Sequence, residues 1–172
     1  MTSCYPYTQS RNLTFMFDLP DLQGKRKIEA NENTVLDYIL KNKDKFSIFL
    51  KLLEISNLHS LFNHPQFNKT VFIPQDSSLE NYKKDLLSLD KLSAGNIIKY
   101  STLQGLFHIH ILSSSPSSLY TSTYSSSQKI KIVNFNNKTI INDCASVITP
   151  DIQLTNGILH VIDNILTPEV YM

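Results

Sequence analysis

Apolar residues recur at helical spacing through the first half of this 172-residue chain and give way to short β-branched runs in the second. That segregation constrains the fold more than any single motif, because helices and strands that do not alternate build α+β layers rather than a doubly wound parallel sheet. Val35, Leu36, Ile39 and Leu40 share one face of a predicted helix that Thr34 caps. Phe46, Phe49, Leu50 and Leu53 repeat the pattern in a second helix. A shorter helical stretch through Leu58, Leu61 and Phe62 ends at Asn63-His64-Pro65, since the residue before a proline avoids the helical region. Thr70-Val71-Phe72-Ile73, closed by Pro74, reads as a buried strand. Asp76 or Ser77 is expected to cap a helix through Leu79, Leu86 and Leu87, and another helix is expected across Leu89–Leu103, weakened by Gly95.

From Gly105 onward the pattern predicts strands. Leu106–Leu112 reads as a mostly apolar strand with His108 and His110 on one face. Ser113–Ser127 is rich in Ser and Thr, but Leu119, Tyr120 and Tyr124 interrupt it and suggest a hidden strand edge. Ile130–Val133, Thr139–Ile141, Ala145–Ile148 and Ile158–Leu166 are the remaining strand candidates, with turns at Asn136-Asn137 and Asn156-Gly157. Residues 1–30 show no clear periodicity and read as an extension, with one candidate strand around Leu13–Phe17.

Composition removes several function classes. The formal charge is +1, which gives no electrostatic footprint for nucleic acid, and Lys25-Arg26-Lys27 reads as a solvated cluster. The two cysteines, Cys4 and Cys144, form neither a disulfide scaffold nor a metal-ligand spacing. Two free thiols, with Cys144 buried as a small hydrophobe, is the simpler reading, and a Cys4–Cys144 bridge stays open. No apolar run approaches the roughly 18 residues that span a bilayer. The N-terminus lacks the basic start of a secretory leader, and its apolar stretch Leu13–Leu19 is short and holds Asp18. No Gly-x-Ser-x-Gly elbow and no glycine-rich phosphate loop occurs, so neither a catalytic site nor a cofactor site is expected. His108-x-His110 places two imidazoles where zinc would need a third ligand that the sequence does not point to, so no metal site is expected.

Three blocks in fixed order carry a resemblance. They are TVFIPQDSSL (70–79), FHIHIL (107–112) and NGILHVIDNILTP (156–168). Together they resemble the fasciclin domain family across about Glu32 to Pro168. The matching positions are Thr70, Phe72, Pro74 and Asp76 in the first block, Phe107-His108 in the second, and Asn156, Gly157, His160, Val161, Ile162 and Asp163 in the third. Thr123 corresponds to the family's Thr before the penultimate hairpin. Phe107 stands where the family has Tyr, and Leu79 where it commonly has Phe. The resemblance implies an α+β fold of two packed β-sheets forming a wedge, flanked by N-terminal helices. It places the domain at 31–169, between an extension at 1–30 and a tail at 170–172. It also implies that His108 and His160 are structural, each satisfying a buried backbone carbonyl.

The function implied is a non-catalytic binding module for cell adhesion or matrix association, extracellular or membrane-associated. Its partner would be a protein or glycan on a cell surface or in the matrix, an integrin among them. Thr149-Pro150-Asp151-Ile152-Gln153 resembles an Asp-Ile adhesion motif of some family members, where the carboxylate suits a receptor's metal ion. The simpler reading is that Ile152 packs inward while Asp151 faces water. Phe107, His108, Asp151 and Ile152 are therefore the candidate contact residues. An intracellular or viral-type module binding a protein or small ligand is the alternative. Three sequons, Asn12-Leu-Thr14, Asn68-Lys-Thr70 and Asn137-Lys-Thr139, mark candidate glycosylation sites for a secreted glycoprotein, with Asn137 at a hairpin tip the most favourable.

Overall fold

Thr34 starts the first helix as its spacing predicts: its hydroxyl accepts the Asp37 amide at 3.2 Å, and α1 runs Val35–Lys41. The computed structural model describes residues 29–124 and 128–168. After α1 come α2 (Lys43–Ser56), α3 (His59–Asn63), β1 (Lys69–Pro74), α4 (Lys83–Leu87) and α5 (Lys91–Tyr100). The strand-rich half holds β2 (Thr102–Leu103), α6 (Ile109–Leu112), β3 (Ser117–Thr121), β4 (Lys129–Phe135), β5 (Lys138–Ile141), β6 (Ala145–Leu154) and β7 (Gly157–Ile162). The expected strand around Leu13–Phe17, the sequon at Asn12, Cys4, and the 170–172 tail lie outside the described residues.

The strands form one seven-stranded ladder ordered β2-β1-β7-β6-β5-β4-β3. Only β1 and β7 are parallel, in register from Lys69↔Gly157 to Pro74↔Ile162. Strand β6 is shared by both halves of the ladder. Its first residues pair with β5 and the rest with β7, across register shifts between Val147 and Thr149 and between Thr149 and Ile152. Such irregularities bend a strand, and here they let the two halves fold over one another. The Ser122–Leu103 bridge ties the chain after β3 to β2, with Thr123 N–H donating to Thr102 O at 2.8 Å. The expected wedge of two sheets is therefore one ladder folded at β6.

Alternation in β1 and β7 builds the layers. Val71, Ile73, Leu159 and Val161 join a core with Val35, Leu36 and Ile39 of α1, Phe49, Leu52 and Leu53 of α2, and Ala94, Ile97 and Ile98 of α5. The opposite face sends Phe72 and Ile162 into a second core with Ile130, Ile132 and Ile141 of the other half-sheet. β7 is buried at every position and β1 at all but its first. That is the signature of strands covered on both sides.

Several expectations are corrected. Asp76 begins a single 3-10 turn, Asp76–Ser78, and caps a different helix. Its carboxylate accepts the amides of Ser47 at 3.0 Å and Ile48 at 2.9 Å, and the Ser47 hydroxyl. Phe46 has φ −125°, so α2 is kinked there and Asp76 supplies the N-terminal cap of the turn that follows. The helix expected across Leu89–Leu103 is capped by Asp90 and stops at Tyr100, after which Thr102–Leu103 are already strand. Cys144 is exposed in the turn between β5 and β6 rather than buried. Partial desolvation, helped by the carboxylates of Asp143 and Asp163, pushes its thiol pKa up, which makes it a poor nucleophile.

Gly157 is needed for a different reason from the one its turn suggests. It is absent from the positive-φ residues, and a Cβ there would meet the Lys69 carbonyl oxygen at 2.8 Å and Val35 Cγ2 at 2.9 Å. The glycine lets β7 start against β1 and α1. Gly157→Val is expected to destabilise the chain by about 2–4 kcal/mol through overpacking against backbone, read from urea unfolding. An unchanged midpoint contradicts the close approach. Asp76→Ala is expected to cost about 1–2 kcal/mol by leaving the Ser47 and Ile48 amides uncapped. Asp76→Asn, which keeps an acceptor, should cost less.

Candidate functional site

Residues 105–112 cross the strands as a separate strap, and four side chains of β1, β6 and β7 hold it. Gly105 opens the strap with φ +125°, a conformation that only glycine adopts without strain. Thr70, fully buried, takes both ends of one bend: its hydroxyl donates to Gly105 O at 2.7 Å and accepts the Phe107 amide at 2.8 Å. His160, also fully buried, donates from Nε2 to Phe107 O at 2.8 Å and accepts the Asp151 amide on Nδ1 at 3.0 Å. Those two bonds require the neutral imidazole with its proton on Nε2. Burial first, and the nearby His108 ring, hold the His160 pKa below its ordinary value of 6.5, against the Phe107 carbonyl and the Asp151 carboxylate that pull the other way.

Asp151 occupies the second register shift of β6 with φ +57°, a left-handed conformation that Asp and Asn tolerate best. Its carboxylate oxygen Oδ1 accepts the Ile109 amide at 2.7 Å. This bond explains the main departure from the sequence reading. Ile109–Leu112 is one turn of helix with His108 at its N-cap position, not a strand. Asp151, 42 residues away, supplies the acceptor that the His108 side chain does not. His108 is not the buried structural histidine expected: its Nε2 lies 2.6 Å from Gln153 Oε1 at the surface. The rings of His108 and His110 stack with centroids 5.8 Å apart. Among the described residues no group of three His, Cys, Asp or Glu side chains is placed to hold a metal ion.

Of the four candidate contact residues, Phe107 and His108 lie in the strap, Asp151 reaches it from β6, and Ile152 follows Asp151. Asp151 is exposed, while Ile152 is half-buried against the helical core, as the simpler sequence reading expects. The Phe107 ring packs edge-on against Tyr120 at 5.0 Å, so the missing tyrosine hydroxyl leaves no gap in the ring contact. Leu106 and Ile111 are exposed apolar side chains of the same strap. The sequence reading missed Gln153 and the strap residues beyond the Phe-His pair. The signal was Pro150-Asp151, which a bulge in β6 turns toward the strap.

The remaining motif residues make their contacts within the fold. Asn156 Oδ1 accepts the Val35 amide at 2.8 Å, and its Nδ2 donates to Phe62 O and His64 O, so one buried amide joins α1, α3 and β7. Asp163 accepts the Ser146 amide at 2.7 Å and the Ser146 hydroxyl at 2.8 Å, which ties the start of β6 to the end of β7. Thr123 donates to Lys99 O at 2.6 Å, anchoring the segment after β3 to α5. Pro74 ends β1, and Phe72 packs beside the His160 ring at 5.8 Å between centroids.

With this geometry in place, the sequence matches the fasciclin domain family over residues 44–168. The chain belongs to the fasciclin domain family. It is 32% identical to human periostin over 132 residues, which is 75% of this chain and 15% of periostin. The chain thus spans a small part of that relative's length. The fold is shared with a FAS1 domain pair from the insect cell adhesion molecule fasciclin I, at a TM-score of 0.68 and 23% identity over 81% of this chain and 52% of that one. No helix among the described residues is long and apolar enough to cross a membrane.

The His160 geometry sets an acid sensitivity. Its folded-state pKa is depressed, so below about pH 6.5 the unfolded chain binds more protons than the folded one. The contribution of His160 is complete above that pH and is lost as pH falls through the unfolded value toward the folded one. The urea midpoint is expected to fall on acidification across that window. His160→Asn, which keeps an acceptor for the Asp151 amide, should be less stable at neutral pH and lose that part of the pH slope. An identical slope in both proteins contradicts the neutral clamp.

Proposed function

We propose that the chain is an adhesion or binding module that recognises a protein partner through the strap and the Asp151–Ile152 bulge, without chemistry of its own. The observation that carries this reading is a carboxylate presented on a left-handed bulge beside exposed Leu106 and Ile111 and the stacked histidines. Oδ1 of Asp151 is held by the Ile109 amide, so the group is fixed in direction before any partner arrives. A fixed carboxylate amid apolar side chains suits a receptor that completes a divalent cation's oxygen shell, as integrins do. Contact residues are Asp151 and His108, with Phe107 supporting the strap from below and Ile152 anchoring the bulge to the helical core. Membership of the family and the likeness to periostin support an extracellular, adhesive setting.

The test is attachment of integrin-bearing cells to the immobilised chain in the presence of magnesium or manganese. Asp151→Asn keeps the left-handed backbone and an acceptor for the Ile109 amide while removing the charge, so its melting curve should match the parent's. Half-maximal attachment is expected to need roughly tenfold more of the variant, the equivalent of about 1.4 kcal/mol. Equal attachment by the two proteins removes Asp151 from the contact surface. Attachment by neither points to the intracellular ligand-binding alternative.

A further inference from the structure

The β4–β5 hairpin turns in two residues, Asn136 and Asn137, with φ +51° and +63°. Positive φ at both central positions is the conformation that a two-residue hairpin requires, and asparagine is among the side chains that tolerate it. The tip is exposed, and among the described residues the Asn137 amide has no hydrogen-bond partner. Elsewhere in this region asparagine side chains are committed: Asn134 to Leu112 O and Ser115 O, and Asn142 to the Lys131 amide and the Tyr100 hydroxyl. Asn137 also begins the triplet Asn137-Lys138-Thr139.

A second observation comes from the hairpin itself. Phe135, the last residue of β4 and the pairing partner of Lys138, is 64% exposed. It is a large apolar ring at the corner of the turn, two residues from the unpartnered amide. Pyranose rings present a face of C–H groups that stacks on aromatic surface, so a sugar attached at the tip has a platform beside it.

We propose that Asn137 is an N-glycan acceptor and that the first sugar of its glycan lies over the Phe135 ring. The proposal rests on the reading of the chain as an extracellular module. The donor is a polyprenyl-pyrophosphate-linked oligosaccharide handled by a cellular oligosaccharyltransferase. The Asn137 Nδ2 forms a bond to the anomeric carbon, the bond from that carbon to the pyrophosphate oxygen breaks, one amide proton is lost to base, and the lipid pyrophosphate leaves. No oxidant or reductant is involved.

The triplet at Asn68 has a different setting. Asn68 is exposed too, with φ +46°, but the aromatic residue next to it, Phe67, is buried and offers no platform for a sugar.

The full chain is expressed behind a cleavable secretory leader, and its peptides are mapped by mass spectrometry before and after enzymatic deglycosylation. Glycan is expected on Asn137. Asn137→Asp, which keeps a side chain tolerant of positive φ, should lose it, and Thr139→Ser should retain it. Asn137 recovered unmodified from secreted protein, or a glycan found only at Asn68, overturns the assignment. The glycosylated chain is expected to melt about 2–4 °C above the enzymatically deglycosylated one, and Phe135→Ser should abolish that difference while keeping the glycan. A glycan whose removal leaves the melting temperature unchanged overturns its placement on Phe135. The Asp151→Asn attachment result is independent of this outcome, because that variant leaves the Asn137 triplet intact.

Discussion

One long-range pairing holds the molecule together: β1 lies parallel to β7 over six residues, Lys69 to Pro74 against Gly157 to Ile162. Parallel strands need a crossover, and here the crossover is everything from α4 through β6. Both faces of the pair are covered, by helices on one side and by the β3–β5 half-sheet on the other. The motif residues cluster around this pair because it has no slack. Gly157 admits the Lys69 carbonyl at its start, Asn156 pins α1 and α3 to the same end, and Asp163 ties β6 to its far end.

The candidate recognition surface is a consequence of the same pair. Thr70 and His160 sit on the two paired strands and reach out of the sheet in the same direction, and both hold the 105–112 strap. His160 also fixes the Asp151 amide, and Asp151 in turn caps α6. Strap, bulge and sheet are thus joined through one imidazole that must remain neutral. A candidate surface held by these bonds is fixed in place beforehand, which lowers the ordering cost of any binding there.

Much of this was legible in the sequence where the information is local. Thr34 caps α1 with its own hydroxyl, apolar spacing marks α2, and Asn136-Asn137 makes its turn from its own backbone preferences. What escaped depends on partners far along the chain. Asp76 looks like the cap of the helix after it, yet it caps a kink 29 residues earlier. Leu106–Leu112 looks like a strand because its apolar residues suit either period, and the carboxylate that caps its one helical turn, Ile109–Leu112, belongs to Asp151. Gly157 reads as a turn glycine, while its true constraint is the approach of the Lys69 backbone. Asp151 itself was visible as a motif, but its bulge and its role in holding the strap require β6 to change register beside β7.

The tautomer of His160 tests the account most directly. A long-range proton–nitrogen correlation spectrum of the folded chain, labelled with nitrogen-15 and titrated from neutral toward acidic pH, reads it without mutation. His160 is expected to be neutral with its proton on Nε2 and to hold that form below its ordinary titration range. A proton on Nδ1, or ordinary titration with the fold intact, would contradict the clamp on which strap, bulge and surface depend.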